Sequence, residues 1–342
     1  FGYIICTKFF RNEVTILSYI GGKARMSDWI SSFVPECDTY VEVFGGAYWV
    51  YVNSDIHERC GKAIYNDFNP YMTNLFRCSS QPKTFSKFID AKKPPLQTKG
   101  VPELSQSCRD YFYDCKESLF YTDFAIKQIR KLLEDKTITG KHRKSLNEAL
   151  THARATRQCN NNNMRDVFGL KVKDGHKNQV AAMKYAYILT SSFSGIDPVD
   201  SEFQDYKGNY NSKFKAFYNR LTSDKFIPKL KKIHTCENMS FEEVIAKYDS
   251  PTTYFYVDPP YWSTELYYSL HRFGREQHYE LMNCLHDIKG KFSLSYYDFS
   301  ELSSMYPKDK FKWETKEFVK PAGAKEGIDQ STGEEVLIMN YH

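Results

Sequence analysis

Residues 253–261 read TYFYVDPPY, and this stretch decides the fold class. Five consecutive β-favouring residues end at Asp258 and two prolines, which lack the N–H that a central strand needs. An unbroken apolar run of this length is typical of a strand buried on both faces, as in a parallel sheet. We therefore expect Thr253–Val257 to be a buried strand with Asp258 at its carboxyl end.

Strands and helices alternate on both sides of this stretch. Further strands are predicted at Tyr40–Phe44, Ala63–Asn66 and Lys291–Tyr297, which are rich in apolar and aromatic residues. Apolar residues spaced three and four apart predict helices around residues 26–33 and 281–288. This alternation indicates an α/β fold with a largely parallel sheet flanked by helices.

The middle of the chain differs in charge. The whole chain has 47 Lys and Arg against 42 Asp and Glu, a net charge of +5, whereas residues 81–180 alone hold 20 against 11, or +9. The densest basic run comprises Lys141, Arg143, Lys144, Arg154 and Arg157. Such a cluster can neutralise phosphates, or it can simply be a solvated helix face. The charge therefore predicts a basic, mainly helical insertion that splits the α/β domain.

The composition excludes several classes of protein. With 16% aromatic residues the chain is not disordered, because so much aromatic surface must be buried or stacked. We find no apolar stretch long enough to span a membrane, and Phe1–Phe10 lacks the layout of a secretory signal. The nine cysteines never form C-x-x-C, and we expect reduced intracellular thiols and no metal site. Because the chain begins with Phe1 and not Met, we expect that residues precede it.

The motif Asp258-Pro259-Pro260-Tyr261 combines a carboxylate, a stiff backbone and an aromatic ring. These groups suit methylation of an exocyclic amine, whose lone pair is delocalised into the base ring. The carboxylate and a backbone carbonyl can each accept one N–H of the amine, and the ring offers a face to a base rotated out of a duplex. A strand-ending Pro-Pro turn with an ordinary Asp is the alternative interpretation.

Two further segments suggest a cofactor site. Glu42 and Phe44 lie at the end of the first strand, and Gly45 and Gly46 follow it. Glycines at this place let a ligand approach the backbone; a plain tight turn is the alternative. Asp67 ends the next strand, where an acidic residue commonly binds ribose hydroxyls, or where it would cap the following helix.

The third segment, Tyr19-Ile20-Gly21-Gly22-Lys23, precedes a predicted helix. A glycine turn followed by Lys23 at a helix start can hold a carboxylate, such as the methionyl end of a cofactor. Taken alone, the segment is an ordinary loop.

In this order, the segments resemble the Dam-like DNA adenine-N6 methyltransferases. The matching motifs are Y-x-G-G-K at 19–23, E-V-F-G-G-A at 42–47, Y-N-D-x-N at 65–69, N-L-F-R at 74–77 and D-P-P-Y at 258–261. Residues 185–195, 241–262, 288–298 and 335–341 are also similar to family segments. The resemblance covers residues 17–77 and about 184–342, and the middle is unmatched.

The resemblance implies a Rossmann-like domain that binds S-adenosylmethionine and methylates N6 of a flipped adenine in double-stranded DNA, without a covalent intermediate and without a metal. Asp258, Pro259, Pro260 and Tyr261 would form the catalytic motif, with Pro259 supplying the second carbonyl and Tyr261 stacking on the adenine. The expected cofactor-binding residues are Tyr19, Gly22, Lys23, Glu42, Phe44, Gly45, Gly46, Asp67 and Asp258.

The expected organisation is a first part of the catalytic domain at 1–77, an inserted target-recognition domain at 78–183 and a second catalytic part at 184–342. The basic residues Lys141, Arg143, Lys144, Arg154 and Arg157 would then contact DNA. We expect the enzyme in the cytoplasm of a prokaryotic or phage-infected cell, at the nucleoid and not at a membrane.

One departure from the family pattern is Tyr48, which follows G-G-A where a small residue is usual. Its side chain either crowds the cofactor or points away from it. If it blocks the cofactor, the chain would be a catalytically silent DNA-binding protein that retains the fold. The motifs are also compatible with methylation of cytosine N4, RNA adenine or protein glutamine, and with a small-molecule α/β enzyme whose basic stretch is plain surface.

Overall fold

The computed structural model describes residues 17, 23, 25–96, 102–168, 178–192, 201–204, 213–262, 273–319 and 332–342. Within these ranges lie seven strands: β1 (Cys37–Glu42), β2 (Cys60–Asn66), β3 (Ile233–Glu237), β4 (Thr253–Val257), β5 (Lys291–Tyr296), β6 (Lys312–Val319) and β7 (Thr332–Met339). They form one sheet in the order β3-β2-β1-β4-β5-β7-β6.

The strand order places a crevice at the middle of the sheet. Strands β1 to β5 are parallel, and β7 pairs antiparallel with both β5 and β6. The chain runs outward from β1 to β2 and β3 and then crosses back to β4 on the other side of β1. In such sheets, ligands bind beyond the carboxyl ends of the strands at this reversal. The ends of β1 and β4 are therefore the expected position of a site.

Thirteen helices lie in the described ranges: α1 (Ser27–Ser32), α2 (Trp49–Asn53), α3 (Ile56–Arg59), α4 (Pro70–Ser79), α5 (Pro82–Lys92), α6 (Pro102–Glu134), α7 (Gly140–Phe168), α8 (Gln179–Ser191), α9 (Lys213–Leu221), α10 (Ile227–Lys232), α11 (Phe241–Tyr248), α12 (Arg275–His286) and α13 (Leu302–Met305). None of these helices is both long and apolar enough to cross a membrane.

The central strands send alternate side chains to two hydrophobic clusters. Tyr40 and Tyr254 face the cluster that includes residues of α1 to α6 and α8 to α10, whereas Val41 and Phe255 face the cluster with α11, α12 and α13. Because helices cover both faces, these strands need apolar side chains at every position. This layering explains the unbroken apolar runs in the sequence.

The predicted parallel α/β fold is confirmed, with small shifts in the bounds of its elements. Thr253–Val257 is β4 as predicted, and Lys291–Tyr297 is β5 except for its last residue. The strand predicted at Tyr40–Phe44 begins earlier, at Cys37, and ends at Glu42, where the glycine turn starts. The helix predicted around residues 281–288 is α12, which begins earlier and ends at His286.

The predicted insertion is helical, and its main element, α6, is bent. Phe120 has a φ of −125° and a ψ of 28°, which interrupts the helix. Before the bend, Cys108, Phe112 and Cys115 are buried in the same cluster as Tyr40 of the sheet. After the bend, α6 leads through a short turn to α7, and the two helices pack against each other. The first half of α6 thus belongs to the layer that covers the sheet, and the domain bounds 78–183 stay a prediction.

The two ends of the insertion are tied to each other. The Asn74 side-chain amide on α4 donates to the Asn178 carbonyl at 2.9 Å, and the Asn178 N–H donates to Asn74 Oδ1 at 3.2 Å. The Asn178 side chain also caps α8 by accepting from the Ala181 N–H at 3.0 Å. The chain therefore leaves and re-enters the catalytic layer at neighbouring points.

Candidate active site

Three charged side chains from distant parts of the chain meet beyond the carboxyl end of β4. Lys23 Nζ lies 3.1 Å from Asp258 Oδ1 and 3.4 Å from Glu335 Oε1. Asp258 directly follows β4, and Glu335 lies on β7. Lys23 and Glu335 are almost fully buried, whereas the Asp258 side chain keeps 17% of its surface exposed. Asp258 is therefore the member of this cluster that a bound molecule reaches most easily.

The ring of Tyr261 completes the cluster. Its phenol donates a hydrogen bond to the Glu335 carboxylate, and the Lys23 ammonium lies 4.4 Å from the ring centroid. Tyr296 and Tyr297, at the end of β5, pack against the same ring with centroid distances of 5.6 and 4.5 Å. Polar contacts and aromatic packing together fix the orientation of Tyr261.

Burial and charge act in opposite directions on the ionisable groups of this cluster. Burial raises the pKa of Asp258 above its ordinary value, and Lys23 opposes this shift. Burial also raises the pKa of Glu335, again opposed by Lys23. Burial alone would lower the pKa of Lys23, but the two carboxylates outweigh it and raise that pKa overall. The lysine therefore stays charged, and the shared cation stabilises two buried carboxylates side by side.

Glu42, a predicted cofactor residue, is a buried carboxylate at the end of β1. Its Oε1 accepts from the Tyr40 phenol at 2.7 Å and from the Tyr51 N–H at 3.0 Å. Burial raises the pKa of Glu42 to about 8, although these hydrogen bonds act against the rise. Glu42 thus ties β1 to α2, and its contact with a cofactor stays a prediction.

The glycine turn after β1 is held against the end of β2. The Gly46 N–H donates to Asp67 Oδ2 at 2.7 Å, and the Asn69 N–H donates to Oδ1 at 2.7 Å. A Cβ on Gly45 would lie 2.4 Å from the Tyr65 ring, and Gly46 has a φ of 46°. The turn itself therefore requires both glycines. Burial raises the pKa of Asp67 to about 6.

The alternative interpretation of Asp67 as a helix cap is wrong. The N-cap of α4 is Asn69, whose side chain accepts from the N–H groups of Tyr71 and Met72. Asp67 instead connects the glycine turn to the loop after β2, which leaves a carboxylate beside the predicted cofactor site.

Tyr48, the bulky residue after the glycine turn, points into the hydrophobic core. It adopts a left-handed backbone conformation with a φ of 59°, and only 1% of it is exposed. Its ring stacks on Tyr51 with a centroid distance of 4.5 Å and packs edge-on against Tyr65 at 5.1 Å. Of the two orientations considered for Tyr48, the structure shows the one in which the side chain points away.

Sequence reasoning missed two buried asparagines that fix the loops around the site. The Asn66 amide donates to the Val43 carbonyl at 2.8 Å, and its oxygen accepts from the Met239 N–H at 3.0 Å. The Asn238 amide donates to the Asp67 carbonyl at 2.8 Å. A polar residue at the end of an apolar strand was the signal available for Asn66.

Trp262, which follows the D-P-P-Y motif, packs beside the site. Its ring stacks on Phe299 with a centroid distance of 4.7 Å and lies 5.0 Å from the His278 ring. His278 is fully buried, and its Nδ1 lies 2.6 Å from the Tyr296 hydroxyl. These contacts support the end of the motif from the α12 side of the sheet.

The remaining predicted site residues are placed as follows. Tyr19 and Gly22 lie outside the described residues. Pro259 is buried and Pro260 half-buried directly after Asp258. Phe44 is half-buried against Phe241, with a centroid distance of 5.9 Å.

Of the five basic residues predicted to contact DNA, Lys141, Lys144 and Arg154 are exposed on α7. Arg143 is also exposed, and its guanidinium donates to the carbonyls of Leu133 at 3.0 Å and Ile138 at 3.2 Å. It therefore also closes the carboxyl end of α6. The side chain of Arg157 lies outside what the structure describes.

Glu335 is the main site residue that the sequence did not single out. A lone charged residue that opens the apolar run Val336–Met339 was the available signal. Among the described residues, we find no group of three or more His, Cys, Asp or Glu side chains that could hold a metal ion.

Comparison with protein families identifies the chain. A family model described as D12 class N6 adenine-specific DNA methyltransferase matches residues 19–320. A comparison with curated protein sequences gave no match. The matched range includes Lys23 and the D-P-P-Y motif and ends before Glu335. It covers most of the chain, which therefore belongs to the D12 class of N6 adenine-specific DNA methyltransferases, enzymes that methylate adenine in DNA.

Proposed function

We propose that this chain transfers the methyl group of S-adenosylmethionine directly to N6 of an adenine rotated out of double-stranded DNA, with Asp258 as the catalytic residue. The observation that carries the proposal is the meeting of Lys23, Asp258 and Tyr261 beyond the carboxyl end of β4. Asp258 is the partly exposed carboxylate of that cluster, at the position in the sheet where ligands bind.

The residues at the ends of β1 and β2 fit S-adenosylmethionine. The Asp67 oxygens each accept one backbone N–H and retain lone pairs for ribose hydroxyls. The turn at Gly45 and Gly46 brings bare backbone to the same edge of the sheet. When bound, this cofactor supplies an electrophilic methyl group on a positively charged sulfur, and the carboxylate of Asp258 matches that charge.

Asp258 prepares the amine for attack. Its carboxylate accepts one N–H of adenine N6, and the Pro259 carbonyl accepts the other, which turns the nitrogen lone pair out of the ring system. The lone pair would form the new N–C bond as the methyl–sulfur bond breaks and leaves its electron pair on the sulfur, and N6 would then carry one proton too many. Burial raises the pKa of Asp258, so its carboxylate is well suited to take up this proton.

DNA would be held from two sides. Tyr261 would stack against the rotated adenine, and the exposed basic residues of α7 would contact phosphates. Taking the adenine out of the duplex costs a few kcal/mol, which contacts along α7 would offset. Since its substrate is DNA, we place the reaction in the cytoplasm of a prokaryotic or phage-infected cell.

The test replaces Asp258 by Ala and by Asn. We expect kcat to fall about 10²- to 10⁴-fold in both variants, because neither side chain accepts the proton. DNA affinity should change little. Methylation is measured by single-molecule sequencing of unmethylated genomic DNA, which also reports the modified base and its sequence context.

The matched control is Asp309→Ala, since Asp309 is exposed, lies before the first residue of β6, and is not part of the cluster around Asp258. It should methylate like the wild type. Undiminished methylation by the Asp258 variants, or modified cytosine in place of adenine, would contradict the proposal.

The silent DNA-binding alternative rested on Tyr48 blocking the cofactor, and the buried position of Tyr48 removes that reason. Calorimetric titration with S-adenosylmethionine separates the two functions. A chain that binds DNA but takes up no cofactor would favour the silent alternative.

A further inference from the structure

Glu335 occupies an unusual position for a carboxylate. It lies on β7 next to Lys316 of β6, one residue before the pairing of Val336 with Tyr296 of β5. Only 1% of Glu335 is exposed, and the four residues that follow it are apolar. A buried carboxylate is strongly destabilising unless it is paired and hydrogen-bonded.

The partners of Glu335 are two residues of the candidate active site. Its Oε1 accepts the hydrogen bond of the Tyr261 phenol and lies 3.4 Å from Lys23 Nζ. Lys23 in turn lies 3.1 Å from Asp258 Oδ1. The Lys23 ammonium therefore forms ion pairs with two carboxylates, the partly exposed Asp258 and the buried Glu335.

We propose that Glu335 is a positioning residue for methyl transfer, which holds Tyr261 in its orientation and keeps Lys23 paired when Asp258 accepts the adenine amine. This inference rests on the proposed role of Asp258. Without Glu335, an N–H of the substrate would compete with Lys23 for Asp258, and a buried ammonium would lose part of its pairing. With Glu335 present, Asp258 is available while Lys23 stays satisfied.

Two substitutions separate the two roles of Glu335. Glu335→Gln keeps an oxygen that accepts from the Tyr261 phenol but removes the charge that pairs with Lys23. Tyr261→Phe removes the hydroxyl but leaves the charge of Glu335 in place. Both changes are nearly isosteric, so neither opens a cavity in the sheet.

The expected effect is on kcat. We expect Glu335→Gln to lower kcat roughly 10- to 100-fold, with the KM values for DNA and cofactor changed less than about threefold. We expect Tyr261→Phe to lower kcat as well, because the hydrogen bond that orients its ring is lost while the charge of Glu335 remains. Glu335→Asp, which keeps the charge, should recover part of the loss.

The pH profile gives a readout that a purely structural role would not move. The groups that face Asp258 are Lys23, Glu42, Tyr256, Tyr261, Tyr297 and Glu335. The negative charge of Glu335 opposes the effect of the Lys23 charge on Asp258. Without it, the positive charge of Lys23 acts more strongly on Asp258 and favours the ionised form. The acid limb of the kcat profile should therefore shift to lower pH in Glu335→Gln.

The matched control is Glu334→Gln, the same change one residue away on the exposed face of β7. Thermal unfolding of each variant shows whether it is folded. The proposal is overturned if folded Glu335→Gln matches Glu334→Gln in kcat and pH profile. If Glu335→Gln does not fold, Tyr261→Phe provides the test, because it removes the same hydrogen bond from the other side. A wild-type kcat in Tyr261→Phe would then overturn the proposal. A wild-type chain that does not methylate adenine refutes the proposed function instead.

Discussion

At two neighbouring and fully buried tyrosines, Tyr48 and Tyr51, we expect removal of the hydroxyl to change stability in opposite directions. The Tyr48 hydroxyl has no hydrogen-bond partner among the described residues, whereas the Tyr51 hydroxyl donates to the Lys229 carbonyl at 3.0 Å. We expect Tyr48→Phe to raise the free energy of unfolding by about 1 kcal/mol, and Tyr51→Phe to lower it by about 1 kcal/mol. Urea unfolding of the two variants measures both changes. A stability loss in Tyr48→Phe would mean that its hydroxyl is satisfied.

At the residue scale, the sequence predicted where Asp258 and Asp67 lie in the sheet but not which side chains contact Asp258. Asp258 and Asp67 stand at strand ends, which a pattern of apolar runs reveals. Lys23 and Glu335 are 312 positions apart in the chain, and their contact exists only because β7 lies next to β5. No local pattern carries that information. The direction of the Tyr48 side chain could not be predicted for the same reason, because its ring packs against Tyr65, which belongs to another strand.

At the scale of the element, α7 allows a test of the proposed DNA contacts. Lys141→Ala and Lys144→Ala should each weaken DNA binding at all sequences and reduce the slope of log affinity against log salt by about 1. Arg143→Ala should also destabilise the protein, because its guanidinium closes α6. Fluorescence anisotropy over a salt series measures the slopes.

The control for the α7 variants is Lys310→Ala. Lys310 is an exposed lysine that lies just before β6, an edge strand of the sheet, and not on α7. It should leave the salt slope unchanged. Equal slopes for all the lysine variants would assign the DNA contacts to another element.

Elements that are buried on both faces were predictable, and the others were not. β4 and β5 were found because every position after Lys291, the exposed first residue of β5, is apolar or small, as a covered parallel strand requires. β6, at one edge of the sheet, holds four Lys and Glu residues among its eight. β3, at the other edge, contains His and Glu. The patterns of both strands are therefore weaker. The bend of α6 at Phe120 has no proline or glycine at that position to announce it.

For the molecule as a whole, the buried acid Glu42 predicts how stability depends on pH. Burial raises its pKa from 4.5 to about 8, so the folded state holds a proton that the unfolded chain has released. Stability therefore falls as the pH rises through this range. Glu42→Gln retains the acceptor for Tyr40 and Tyr51 but does not titrate. Between pH 5.5 and pH 8, the free energy of unfolding should fall less in Glu42→Gln than in the wild type. The difference between the two losses should be on the order of 1 kcal/mol or greater.

Urea midpoints of the wild type and Glu42→Gln at the two pH values measure this difference. Glu334→Gln, at an exposed position, should follow the wild type. If Glu42→Gln showed the full wild-type dependence on pH, another buried acid would be responsible.

The two hydrogen bonds between Asn74 and Asn178 bear on how such an enzyme diversifies. Because they close the base of the insertion, the part of it beyond Phe120 can lengthen or shorten without moving the strands that carry the chemistry. Loop closure costs only about 0.6 kcal/mol for each doubling of length, so insertions there destabilise the fold little. With the proposed DNA contacts on α7, exchange of the segment beyond Phe120 would be a modular route by which descendants acquire new target sequences while inheriting one catalytic centre.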